Sequence, residues 1–373
     1  MAKHGRILAV ATPVLCAAFL LSVSAADTAH AQGRVINLKV ANFFPPPSKQ
    51  SKLLQEFGEE LEQRSNGRIK VQYFAGGSLI TAPNMFKGVE SGIADIGYSH
   101  VYYTPGRMPV SEAIGLPLGM PSGWVGAHVG QDFYEKFQPK EWAGVKLLAL
   151  HANAPSMVIS KRPVADLADM KGLTIRAPGV PGEIVKALGA TPTPTPMMEV
   201  YDSLAKGVNE AVWGPYETLR TFRFAEVAKN VTVCWQIGAS FPFYLAMNKN
   251  SFNKLPADLK TLVDTMSGEY QERYALMWNE IELEGKKFAM EKGVAFIELS
   301  DEEAPRWQKA VQAAVDNYTK TMVSKGHTEA EVNGWIDFMK GRIKYWTAKQ
   351  AEYKIPSPTG PASIRPEAYV VSR

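Results

Sequence analysis

Apolar and polar residues alternate in short runs through the first two thirds of the chain and settle into helical spacing in the last third. Val35-Ile-Asn-Leu-Lys-Val40 alternates residue by residue, which predicts a half-buried strand. The proline run Phe43-Phe44-Pro45-Pro46-Pro47 breaks it, and a helix is predicted from about Ser48. Leu53, Leu54, Phe57 and Leu61 share one face of that helix, and Ser65-Asn66-Gly67 stops it. Ile69–Phe74 and Ala94–Tyr98 read as further strands with a short helix between them at Asn84–Glu90. That order implies a sheet with parallel neighbours.

The pattern recurs after Val145. Strands are predicted at Lys146–His151, Ser156–Ser160, Leu173–Ala177, Glu210–Trp213, Val231–Gln236 and Phe243–Met247, with helices at Glu183–Leu188 and Met198–Lys206. Leu259, Leu262, Met266, Tyr270, Tyr274, Met277 and Ile281 then space one long helix over Pro256–Lys292, with Gly268 and Gly285 as its weak points. Helices around Trp307–Met322 and Thr328–Lys349 follow, and the tail from Ile355 is rich in proline and serine. The expected fold is α/β: two lobes of the periplasmic binding protein type, an interlobe cleft, and a long helix spanning both. Residues 32–153 with about 242–281 are assigned to lobe I, and 154–241 with about 282–310 to lobe II. Residues 311–373 form C-terminal helices and tail. A cleft between such lobes is a favoured ligand site, because strand ends and helix N-termini converge there.

The first 31 residues read as an export signal. Lys3 and Arg6 precede an apolar stretch from Ile7 to Val23, and Ala29-His-Ala31 offers a cleavage site. The stretch is shorter than the roughly 20 residues of a membrane span. Pro13-Val-Leu15 before Cys16 lacks the small residue that lipidation requires. A cleaved, periplasmic protein beginning near Gln32 is expected. It keeps Cys234 alone of the two cysteines, so the fold relies on its core rather than a disulfide.

Charge and motifs narrow the function. Formal net charge is +4 with both signs interspersed, which disfavours nucleic acid as a partner. There is no Walker loop, dinucleotide fingerprint or serine-hydrolase elbow, and the six histidines include no pair at helical zinc spacing. No cofactor is expected. Arg176, at the end of the short strand Leu-Thr-Ile-Arg, has the planar fork that matches a carboxylate, whether a ligand's or an internal one.

The segment Lys171-Gly-Leu-Thr-Ile-Arg176-Ala-Pro-Gly, with Ala187-Leu-Gly-Ala-Thr-Pro-Thr-Pro194 and Glu199-Val-Tyr, resembles the extracytoplasmic receptors of TRAP transporters, the DctP-type family. Gly88-Val-Glu-Ser-Gly-Ile-Ala-Asp95, Ala211-Val-Trp-Gly-Pro215 and Leu255-Pro-Ala-Asp-Leu-Lys260 match in order. The resemblance implies a receptor that closes on a small organic carboxylate, held by Arg176, and delivers it to permease membrane subunits. It also implies what is absent. Ser156 stands where sialic-acid receptors of the family carry a second arginine, and Gly214 where they carry an asparagine. Ala211 stands where metal-assisted oxo-acid receptors carry a glutamate, so no metal is expected.

Around Arg176, the candidate ligand contacts are Phe44, His100, Tyr102, Asn153, Ser156, Trp213, Gly214 and Phe241. With Phe43, Tyr103 and Tyr216 at the same strand ends, their aromatic character favours a flat or apolar acid, and Trp213 is the leading aromatic candidate. Two other functions remain open at this level. One is an exported enzyme acting on an organic acid, for which His100 is the evident base; the other is a ligand-sensing partner of a membrane sensor. The chain is compatible with a monomer or a homodimer.

Overall fold

The structure, a computed structural model, describes Met1 and residues 35–366; the export signal expected over 1–31 otherwise lies outside the described residues. The chain forms β1 (Ile36–Asn42), α1 (Lys49–Arg64), β2 (Ile69–Phe74), α2 (Met85–Glu90) and β3 (Ile96–His100). Ser48 caps α1 by accepting the Ser51 N–H at 3.2 Å, and Leu53, Leu54, Phe57 and Leu61 are buried as spaced. Asn66 and Gly67 end the helix with positive φ. Next come α3 (Gly123–Phe137), which the sequence reading did not anticipate, and β4 (Val145–Ala152).

The second run comprises β5 (Met157–Ser160), α4 (Leu167–Met170), β6 (Thr174–Arg176), α5 (Val180–Ala187), β7 (Thr191–Thr193), α6 (Met197–Ala205), β8 (Ala211–Gly214), α7 (Glu217–Thr221) and β9 (Asn230–Val233). The chain then returns through β10 (Pro242–Asn248) and α8 (Lys249–Asn253) to α9 (Ala257–Glu291). It ends with β11 (Ala295–Glu298), α10 (Glu303–Ser324) and α11 (Glu329–Glu352).

Two sheets result, ordered β2-β1-β3-β10-β4 and β11-β9-β5-β8-β6-β7. β1 lies parallel to β2 and β3, and β6 parallel to β7 and β8, as the alternation of strands and helices requires. β10 runs antiparallel to β3 and β4, and β5 antiparallel to β8 and β9. The exceptions have a topological cause. β1, β3, β4, β6 and β8 all run toward the region between the sheets, whereas β5 and β10 carry the chain away from it after a crossing. Strand C-terminal ends from both sheets, with the start of β10, therefore face one another.

The helix α9 is continuous for 35 residues, about 52 Å at 1.5 Å per residue. Its Gln271 donates to the Ala127 carbonyl of α3, and its Trp278 donates to His151 Nδ1 on β4 at 2.8 Å. Further along, Glu282 accepts the backbone N–H groups of Tyr216 and Glu217, both at 3.0 Å. One helix thus grips elements of both lobes. Gly285 is not a weak point: a Cβ there would lie 2.4 Å from the Tyr216 carbonyl oxygen, so glycine permits the close approach to α7. Gly268, by contrast, faces open space.

The C-terminal helices close over the lobes. α10 packs on α5, and its Tyr318 donates to the Pro109 carbonyl at 2.9 Å, while α11 packs on α3. The tail through Pro366 also packs, since Thr359 is buried and donates to the Pro121 carbonyl at 2.7 Å.

Candidate functional site

Arg176 is the last residue of β6 and is fully buried. Its Nε donates to the Thr195 carbonyl at 2.9 Å and its Nη2 to the Tyr103 hydroxyl at 3.2 Å; the guanidinium lies 5.7 Å from the Phe241 ring centre. Nη1 is buried without a hydrogen-bond partner. Among the described residues no carboxylate forms an ion pair with Arg176, so an internal counter-ion does not account for its burial. Desolvation lowers its pKa, opposed by Tyr103, but a guanidinium remains charged at any ordinary pH.

Arg176 lines a small cavity between the sheets together with Phe43 and Phe44 after β1, His100 and Tyr103 at the end of β3, and Asn153 after β4. Met197, Pro215, Glu217, Thr218, Phe222, Phe241 and Phe243 complete the wall. The cavity volume is about 20 Å³, near what one water requires. A ring-sized ligand therefore enters with the lobes apart or the phenyl rings shifted.

Geometry separates neighbours that look alike in sequence. Tyr103 faces the cavity: its ring centre lies 3.6 Å from that of His100, and its hydroxyl also accepts the Met197 N–H at 3.0 Å. Tyr102, the residue expected from the sequence, points elsewhere. It donates to the Glu112 carbonyl at 3.1 Å and packs over Gly179. Val101–Tyr103 is a 3₁₀ turn, in which successive side chains diverge by about 120°.

Trp213 is likewise outside the lining. Arg176 pairs with Val212 on parallel β8, and strand side chains alternate between faces, so Trp213 is directed to the face opposite Arg176. It is fully buried there, with Nε1 unpartnered. Ser156 is buried in the crossing, where its N–H donates to the Ala239 carbonyl at 2.8 Å, and it does not line the cavity. Gly214 does not line it either; a Cβ there would meet Thr218 Oγ1 at 3.4 Å, an ordinary contact. The structure thus gathers Arg176, Phe44, His100, Asn153 and Phe241, and leaves Tyr102, Ser156, Trp213 and Gly214 aside.

His100 is buried, its Nδ1 is unpartnered, and burial together with Arg176 pushes its pKa well below the ordinary histidine value. It is a neutral imidazole at neutral pH. Asn153 Oδ1 accepts the Phe241 N–H at 2.8 Å, so Nδ2 is the donor it can offer a ligand. Sequence reasoning missed Glu217, the first residue of α7. It is buried and lines the cavity, and desolvation raises its pKa to about 7 against the pull of Thr221 and Gln50. An acid in the first turn of a helix is too ordinary to stand out. Among the described residues, no group of three or more His, Cys, Asp or Glu is placed to hold a metal ion.

Comparison with known proteins agrees with this architecture. The family model for bacterial extracellular solute-binding protein, family 7 (DctP), matches residues 40–321. The 2,3-diketo-L-gulonate-binding periplasmic protein of Escherichia coli is 29% identical over 283 residues, covering 73% of this chain and 82% of its own. A TRAP periplasmic solute-binding protein of Desulfovibrio salexigens is 33% identical with a TM-score of 0.71, covering 83% of this chain and 96% of its own. A marine metagenome TRAP solute-binding protein specific for aromatic acid ligands, solved with 3-hydroxybenzoate, is 25% identical with a TM-score of 0.78. That match covers 84% of this chain and 99% of the other.

Proposed function

Because the chain belongs to family 7 of the bacterial extracellular solute-binding proteins, the DctP family of TRAP receptors, we propose that it captures a small organic monocarboxylate between its lobes. It then passes the acid to the membrane subunits of a TRAP permease. Family and fold are those of solute receptors rather than enzymes.

One observation carries the choice of ligand. A fully buried guanidinium with no carboxylate partner among the described residues and a bare Nη1 lies on a cavity wall. A buried cation without a counter-charge is costly, and a ligand carboxylate supplies that charge with matching planar geometry. The phenylalanine walls support an apolar or aromatic body for the acid. The likeness to a receptor specific for aromatic acids supports the same reading. The export signal read over residues 1–31 supports a periplasmic location, and no described helix is long and apolar enough to cross a membrane.

Thermal-shift screening of the mature chain against organic acids tests the proposal. Monocarboxylates are expected to raise the melting temperature of the wild type and not of Arg176→Ala. Stabilisation by neutral sugars or amines alone, with organic acids inert, is the contrary result.

A further inference from the structure

We infer that the cleft reads its ligand at two points: Arg176 takes the carboxylate, and Glu217 takes a hydroxyl carried on the ligand's body. The inference rests on the receptor reading above and narrows its ligand class to hydroxy-substituted monocarboxylates.

Glu217 is 3% exposed and lines the same cavity as Arg176. The two do not neutralise each other, for no ion pair or hydrogen bond joins them among the described residues, and their partners differ. Arg176 is held by Tyr103 and Thr195, Glu217 by Gln50 of α1, whose Nε2 donates at 3.2 Å, and by Thr221 of its own helix. The Glu217 backbone is pinned as well, because Glu282 on α9 accepts its N–H and that of Tyr216. A carboxyl group has about four acceptor sites, so capacity remains beyond the bonds from Gln50 and Thr221. Between the two polar points the wall is phenylalanine, including Phe44, Phe222 and Phe243.

This arrangement sorts ligands chemically. A hydroxyl can donate to an ionised Glu217 or accept from a protonated one, so it fits in both states. A second carboxylate would set two acids against each other in a buried space, which disfavours dicarboxylates. An unsubstituted acid would leave Glu217 with an unmet polar group. Burial raises the Glu217 pKa to about 7, which allows the donating form near neutrality.

The test is isothermal titration of the mature protein with matched acids: benzoate against 3- and 4-hydroxybenzoate, phenylacetate against mandelate, and propionate against lactate. In at least one pair the hydroxylated acid is expected to bind about tenfold or more tightly. Glu217→Ala, or Glu217→Met should the alanine variant not fold, is expected to bring that ratio near one, whichever way absolute affinities move. Glu217→Gln, which can still bond a hydroxyl, is expected to keep part of it. Wild-type protein that binds these acids with no preference in any pair overturns the inference and leaves the receptor reading intact. A preference that survives Glu217→Ala or Glu217→Met does the same. If no acid in the panel binds, the carboxylate reading and this inference fall together.

Discussion

Arg176 Nη2 donates to the Tyr103 hydroxyl at 3.2 Å, joining the end of a strand in one sheet to the turn after a strand in the other. The same hydroxyl accepts the Met197 N–H, so one oxygen ties the turn after β3 to two segments of the other lobe, the end of β6 and the start of α6. Tyr103→Phe keeps the ring and removes this tie. Its expected cost is about 1.5–3 kcal/mol in carboxylate affinity, the scale of a hydrogen bond to a charged group. Titration calorimetry checks this, and small-angle scattering should show a less compact unliganded protein.

Arg176→Ala removes the charge itself. Truncating one partner of a buried charge pair costs about 2–5 kcal/mol or more, so affinity for any monocarboxylate should fall by at least thirtyfold. Arg176→Lys is expected to recover only part, since an ammonium cannot make the planar two-pronged contact. Equal affinity in wild type and Arg176→Ala would remove Arg176 from the site.

Trp213→Phe separates core from cleft. Trp213 is buried on the opposite face of β8 from Arg176, so its loss is expected to cost roughly 1–3 kcal/mol of stability with ligand affinity changed by less than threefold. Phe241→Ala, in contact with the guanidinium, should weaken binding more than Trp213→Phe does. Denaturant unfolding and titration on the same preparations make the comparison.

Glu217 predicts a pH dependence with a definite sign. Its carboxyl is raised from 4.5 to about 7 in the folded protein. Between those values the folded chain holds a proton that the unfolded chain has shed, so this group's contribution falls as pH rises across the window and is lost above about 7. Gln50 of α1, Tyr98 of β3, Thr221 of its own helix and Glu282 of α9 surround it. Glu112, Glu141 and Glu282 are raised too, while buried His100 and His151 slope the other way below the ordinary histidine value of 6.5. The difference in melting temperature between wild type and Glu217→Gln isolates the one group. The wild type's melting temperature relative to that of the variant should fall as pH rises from 5 to about 7, and a flat difference contradicts the assignment.

The two glycines of α9 should respond in opposite directions. Gly268→Ala fills open space in a helix interior and is expected to stabilise by about 0.5–1 kcal/mol. Gly285→Ala places a methyl group against the Tyr216 carbonyl and should destabilise by roughly 1–3 kcal/mol. Thermal melts of the two variants decide between a packing role and a tolerated weakness at Gly285.

The comparison of those glycines shows where sequence reading stops. Periodicity located α1, α9, α10 and α11, because a helix face repeats locally every three or four residues and leaves its trace in adjacent text. It missed α3, whose Gly123, Gly126 and Gly130 dilute the apolar spacing yet let the helix approach Trp278, Asn153 and His151. Parallel pairing was legible from strand and helix order. The antiparallel placement of β5 and β10 was not, since it depends on which sheet the chain has just left.

For the cleft, Arg176 as the candidate anchor and its aromatic surroundings as a class were legible in the chain. Strand ends carry those residues, and the family text around Lys171–Gly179 is local. Packing alone selected Tyr103 over Tyr102, turned Trp213 away, and brought Glu217 to the cavity. The physical reason is orientation. One residue of register changes the face of a strand or the direction of a turn, and a contact between lobes joins residues far apart in the chain. Such contacts are set by packing the two sheets against α9, a relationship that no short stretch of sequence contains.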